Sequence, residues 1–148
     1  MENKLHLGLL ASVIIGMTLS FCAHAKDYGN MVITKDQIEV HDGDTLYLSI
    51  KEYPPIIGDH IGIRVLGVDT PEIRGKCDYE KNLAQQAKTF TTNAINNAKK
   101  IELKKLDRDK YFRILAELWI DDKNFADMLI TNKLAYAYFG EAKTPWCK

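Results

Sequence analysis

A mainly β chain of α+β class, folded as a five-stranded OB-type Greek-key β-barrel with two to three helices, is what the sequence predicts. Three observations point there. Short runs of alternating apolar and polar residues recur along the chain, one long helical stretch falls between the third and fourth of them, and the regular strand–helix alternation of a parallel sheet is missing. With 148 residues, 46% hydrophobic and 27% charged, the chain has the size and make-up of one compact domain. Its 20 basic and 20 acidic residues cancel, which excludes a global positive field for holding a polyanion, so any affinity for phosphate must be local.

The N-terminus is set apart by composition. Lys4 precedes an uncharged, largely apolar stretch from Leu7 to Ala23, and Ala23-His24-Ala25 follows as an A-x-A site. Residues 1–25 therefore read as a signal peptide cleaved after Ala25, and residues 26–148 as an exported domain, secreted or periplasmic, with no stable membrane anchor after cleavage. An uncleaved anchor is the competing reading of the apolar stretch, and lipidation at Cys22 is disfavoured by bulky Phe21 before it. Cleavage removes Cys22 and leaves Cys77 and Cys147, an even pair in a chain bound for an oxidising compartment. A Cys77–Cys147 disulfide is expected. Closing so long a loop stabilises a fold by about 4 kcal/mol in the chain-entropy model and would pin the C-terminus.

The elements follow in order. From Met31 to Val40 a strand leads into His41-Asp42-Gly43-Asp44, a turn with Asp-Gly at its centre, and Leu46, Leu48 and Ile50 then alternate with polar residues as the return strand. Pro54, Pro55 and Gly58 mark a loop. A third strand from about His60 to Val68 places Ile61, Ile63 and Val65 on one face and Arg64, Leu66 and Val68 on the other. Asp78 is placed to cap a helix whose apolar stripe is Leu83, Ala87, Phe90, Ala94 and Ala98. Strands over Lys100 to about Leu106 and Arg113 to Ile120 form a hairpin, and Asn124 caps a short helix with Phe125, Met128 and Leu129 inward. The tail closes through Tyr136, Tyr138 and Trp146.

Chemistry is concentrated in a few of these places. Asp42, Asp44, Asp69 and Glu72 stand at strand ends, where carboxylates can converge, and Asp44, Asp69 and a backbone carbonyl such as that of Thr70 make an oxygen donor set suited to Ca²⁺. No Cys/His cluster suggests zinc. Taken alone, Asp42-Gly43-Asp44 reads as an ordinary hairpin turn sooner than as a metal site. Arg64, on a half-buried strand, needs an anion beside it, which is either a phosphate or one of the aspartates. The segment from Lys99 to Arg113 carries seven basic residues against three acidic ones, a solvated face or a guide for a polyanion.

Three segments then resemble, in order, the signatures of the staphylococcal nuclease family. They are His41-Asp42-Gly43-Asp44-Thr45, Arg64-Val65-Leu66-Gly67-Val68-Asp69-Thr70-Pro71-Glu72 and Asp109-Lys110-Tyr111-Phe112-Arg113. The resemblance implies a Ca²⁺-dependent enzyme hydrolysing DNA and RNA; a monomer is expected, and no protein partner is implied. It implies that Asp44 and Asp69 bind the ion through carboxylates and Thr70 through its main-chain oxygen, with Asp42 supporting them. Glu72 would be the general base, Arg64 and Arg113 would grip the scissile phosphate, and Lys110 and Tyr111 would contact a terminal phosphate. Tyr111 is also expected to meet substrate through its ring, and Tyr138 to serve in packing.

The sequence departs from that pattern in places. Phe112 stands where a glycine commonly precedes the second arginine, and Lys133 where a glycine commonly ends the last helix. The loop after Glu72 is shorter than in the staphylococcal enzyme, so Arg74 and Lys76 have no one-to-one match. The rival readings are a non-catalytic OB-type nucleic-acid-binding module and an exported calcium-binding structural domain. The first leaves the combined carboxylates and arginines unexplained, the second the arginines.

Overall fold

The computed structural model describes residues 28–147, so the expected signal peptide over residues 1–25 lies outside the described residues. The first run of alternating residues is two strands, β1 (Met31–Ile33) and β2 (Ile38–Val40). What divides them is a 3-10 turn over Lys35–Gln37, closed by Gln37, whose Oε1 accepts from the Thr34 N–H at 2.9 Å. Each half then finds its own partner. β1 runs antiparallel to β6 (Ile101–Arg108), and β2 antiparallel to β3 (Thr45–Leu48).

The Pro54-to-Gly58 loop contains one helical turn, α1 (Pro55–Gly58), with Pro55 at the first position, where its missing N–H costs nothing. β4 (Ile61–Val65) lies between β3 and β7 (Ile114–Ile120), antiparallel to the first and parallel to the second. The main sheet runs β1-β6-β7-β4-β3-β2, with β8 (Lys123–Asn124) beside β7, and curls into a half-barrel. Leu46, Leu48, Ile63, Val65, Leu103 and Leu118 fill its inside, each buried, a gain of roughly 1.5–3 kcal/mol apiece relative to exposure. The mainly β, OB-type architecture is the one the sequence predicts, with nine strands among the described residues where five were expected.

Two expectations are corrected. The third strand does not run unbroken to Val68. Gly67 takes a left-handed φ of +87°, which only a residue without Cβ adopts at little cost, and the chain turns there into β5 (Gly67–Asp69). β5 pairs with β9 (Tyr136–Tyr138) in a separate two-stranded sheet, and the side-chain parity slips, so Val68 joins Val65 in the core instead of sharing the face of Arg64. In α2 (Asp78–Asn97) the capping position is Cys77, and Asp78 is the first helical residue. Its buried face is Glu80, Ala84, Ala87, Thr91 and Ile95, so the expected stripe is rotated: Leu83, Phe90, Ala94 and Ala98 flank it. Small Ala84 and Ala87 let the helix axis approach the sheet, which the larger residues would hold away.

α3 (Phe125–Thr131) begins as expected, with the Asn124 side chain accepting from the Ala126 N–H at 2.9 Å and Phe125 and Leu129 fully buried. It is capped at Asn132, and the next residue, Lys133, has φ +59°; Phe112 has φ +68°. Both are positions that favour glycine, which accounts for the glycine the family pattern carries there. A left-handed non-glycine residue costs roughly 1–2 kcal/mol, and the extra freedom of glycine in the unfolded chain offsets about 0.4–1 kcal/mol of the relief. Lys133→Gly is therefore expected to stabilise the protein by roughly 0.5–1 kcal/mol, read as a raised Tm. An unchanged or lowered Tm would show that the strain at this position is negligible.

Candidate active site

The turn between β2 and β3 is built to present Asp44. Asp42 Oδ1 accepts from the backbone N–H groups of Asp44 at 3.0 Å and Thr45 at 2.7 Å, closing the turn from within. Gly43 is there for space and not for turn geometry: it lacks a left-handed φ, and a Cβ on it would lie 2.7 Å from Thr70 Cγ2 and 2.8 Å from the Ala87 Cβ. The Thr91 hydroxyl, wholly buried on α2, stands 2.9 Å from the Gly43 carbonyl and ties the turn to the helix. Asp44 consequently points inward, where its Oδ2 accepts from the Thr70 N–H at 2.7 Å.

Arg64 on β4 answers the question its burial raised. Its partners are the aspartates, with Nη1 2.6 Å from Asp44 Oδ2 and Nη2 3.4 Å from Asp69 Oδ1, and Nη2 also donates to the Val68 carbonyl at 2.9 Å. Burial, with a smaller push from Asp42, outweighs the opposing pull of Arg64 and the Thr70 hydrogen bonds, and the Asp44 carboxyl is pushed up to about 6.

Arg113, expected to open the strand, stands immediately before β7, which begins at Ile114. The parallel register of β4 and β7 sets it beside Gly62, where a Cβ would come 3.0 Å from Arg113 Cγ, so the glycine leaves the room in which the arginine lies. Asp109 holds it: Arg113 Nε donates to Oδ2 at 2.7 Å, while Oδ1 accepts from the N–H groups of Tyr111 at 2.8 Å and Arg113 at 2.9 Å. Burial works against the Asp109 charge, but the hydrogen bonds from Arg113 and Tyr111 outweigh it and hold the carboxyl below the ordinary range. Among the described residues no hydrogen bond is made by the two Nη groups of Arg113, which leaves its fork available.

These side chains share one groove of about 1070 Å³, lined by Asp42, Asp44, Arg64, Glu72, Lys110, Tyr111, Arg113 and Tyr138 among others. Tyr111 is 68% exposed on its rim, with Lys110 Nζ 5.1 Å from the ring centroid. Asp69 and Thr70 are buried and do not line the groove; they stand behind Asp44 and Arg64. His41 and His60, which had no assigned role, pack on Tyr47, His60 stacking at 3.8 Å between ring centroids.

Three site residues escaped the sequence reading. Asp109, quoted there within the third signature segment but given no role, orients Arg113. Glu80, buried on α2, accepts from the N–H groups of Glu72 at 3.4 Å and Lys76 at 2.8 Å and so shapes the loop bearing Glu72; Gly75 makes room for it, since a Cβ there would lie 2.5 Å from Glu80 Cδ. Lys143, in the tail, sets Nζ 2.7 Å from Asp69 Oδ1 and 3.2 Å from Glu72 Oε1. Only the Asp109-to-Arg113 spacing, four residues with Gly-like Phe112 between, carried any signal of this. Arg74 and Lys76 lie on the short loop, and it ends at Cys77, whose Sγ is 2.11 Å from that of Cys147 with Cα atoms 6.0 Å apart, the spacing of a bonded pair.

Oxygen donors from Asp44, Asp69 and Thr70 suit a hard cation and not a soft metal, and buried carboxylates already drawing in a guanidinium and an ammonium show that the position favours positive charge. With two arginines across the same groove, fold and site together define a protein that handles phosphate esters on an OB-type half-barrel. Residues 62–146 match the family model described as staphylococcal nuclease homologue. The chain is 33% identical over 146 residues to a thermonuclease of Staphylococcus hyicus, covering 93% of this chain and 83% of that protein. It is also 33% identical over 101 residues to a thermonuclease of Staphylococcus intermedius, and 31% identical over 127 residues to endonuclease YncB of Bacillus subtilis strain 168, in each case spanning 56% of the relative. The chain belongs to the staphylococcal nuclease family.

Proposed function

We propose that this protein is an exported, calcium-dependent nuclease that hydrolyses phosphodiester bonds of DNA and RNA. The convergence of Asp44, Glu72, Arg64 and Arg113 on one groove, with Asp69 directly behind, carries this reading. The thermonuclease and endonuclease names of the relatives agree with it. Asp44, Asp69 and the Thr70 carbonyl are the residues to hold calcium, which when bound supplies Lewis-acid neutralisation of a phosphate oxygen.

The chain's own groups supply the rest. Glu72, exposed at the groove edge, accepts the proton of the attacking water, and its flexible side chain is anchored through its backbone by Glu80. Arg113 offers its two unengaged Nη groups to the equatorial oxygens, where negative charge builds during in-line attack, and Arg64 faces them from β4. Lys110 and Tyr111 on the rim meet the next phosphate. Asp42 and Asp109 do not touch substrate; they position Asp44 and Arg113. Export through a cleaved signal over residues 1–25 and an oxidised Cys77–Cys147 bridge complete the proposal, the bridge fastening the tail to the start of α2.

The test is cleavage of single-stranded DNA and of RNA by the purified protein, with calcium present or chelated. Cutting that requires calcium supports the proposal. Binding of nucleic acid without cutting, by folded protein at saturating calcium, would instead establish a non-catalytic binding module.

A further inference from the structure

We infer that Lys143 is a tethered cation that occupies the Asp69–Glu72 edge of the metal site and thereby sets how tightly that site takes calcium. The inference rests on the metal reading just given and adds to it a residue that neither the signature segments nor the composition singled out. Its ammonium lies 2.7 Å from the Asp69 oxygen that also faces Arg64, and 3.2 Å from Glu72. A calcium ion ligated by Asp69 needs a carboxylate oxygen at about 2.3–2.6 Å. An ammonium hydrogen-bonded to the same oxygen competes for its lone pairs and repels the incoming charge.

Two features distinguish Lys143 from Arg64 as the group that gives way. Arg64 is nearly buried and is held by Asp44, Asp69 and the Val68 carbonyl together, whereas half of the Lys143 side chain, 51%, is exposed on a flexible stem. The backbone of Lys143 cannot leave with its head group. Upstream, β9 is paired with β5; downstream, the Trp146 ring stacks on Tyr136 at 4.0 Å, and Cys147 is joined to Cys77. The ammonium is therefore supplied at high effective concentration, and calcium must displace it from Asp69 each time it binds.

The experiment is calorimetric titration of calcium, without substrate, into the wild-type protein and the Lys143→Gln, Lys143→Arg and Asp69→Asn variants. Removing one positive charge near a half-exposed site is expected to tighten calcium binding on the order of tenfold in Lys143→Gln, taking a water-like dielectric. Lys143→Arg, which keeps the charge, should stay near the wild-type Kd, and Asp69→Asn should abolish binding. Calcium binding that Asp69→Asn abolishes but Lys143→Gln leaves unchanged or weakens would overturn the role of Lys143 alone. Equal tightening in Lys143→Gln and Lys143→Arg would overturn it too, because charge would not be the cause. No calcium binding by any of the proteins would overturn this inference together with the metal site beneath it.

Discussion

Replacing Glu72 with glutamine will lower kcat by roughly two to four orders of magnitude, the usual contribution of a positioned general base. The change is close to isosteric: the amide keeps an oxygen for Lys143, which approaches Glu72 at 3.2 Å, and the side chain is 59% exposed, so no packing is disturbed. The loop that bears it is held through the backbone, by the Glu72 N–H donating to buried Glu80. Tm should accordingly match the wild type, and the calcium binding proposed for Asp44 and Asp69 should survive. What is lost is a group that can take a proton from water. Single-turnover cleavage at saturating calcium and substrate isolates the chemical step. A rate near that of the wild type would remove Glu72 from the mechanism and leave the carboxylate as a tail anchor for Lys143.

Arg113→Ala will cost about two to three orders of magnitude in kcat, the scale for removing one charge-stabilising donor from a reacting centre. The side chain reaches the groove through a chain of local causes. Gly62 opens the space, Phe112 turns the backbone at φ +68°, and Asp109 holds Nε at 2.7 Å and leaves both Nη groups uncommitted. Arg113→Lys should recover little of the loss, because an ammonium cannot both bond Asp109 and present two parallel donors to a phosphate. Asp109→Asn makes the complementary test: the arginine remains, its orientation loosens, and an intermediate fall in kcat is expected. Full activity in Arg113→Lys would show that charge alone matters at this position and that the fork does not.

The signature segments made Asp44, Arg64, Asp69, Glu72 and Arg113 visible because each sits within a few residues of a turn or strand end whose local chemistry is written into the chain. Asp42, for example, can cap the next turn only from that spacing, and does so with bonds of 3.0 Å and 2.7 Å. Gly43 was seen for the wrong reason. The dipeptide Asp-Gly suggests left-handed geometry, but the demand for glycine comes from Thr70 and Ala87, distant in the chain and pressed against it. Glu80 and Lys143 left no trace, since a glutamate on a helix and a lysine in a tail are solvated by default, and only the path of the surrounding backbone makes one buried and the other a carboxylate partner.

By itself the sequence determined the alternation that makes the chain mainly β, the long helix and its approximate limits, and the identity of the carboxylates and guanidiniums available for phosphate chemistry. These are properties of short windows, where periodicity and residue type suffice. The tertiary structure alone decided which strands break, which face of α2 is buried, and that Arg64 is neutralised by Asp44 and Asp69 before any substrate arrives. It also brought the tail lysine into the site. Each of these depends on contacts between residues far apart in the chain, and such contacts are set by which arrangement fills the core and pairs its buried charges, a condition on the whole fold that no local pattern encodes.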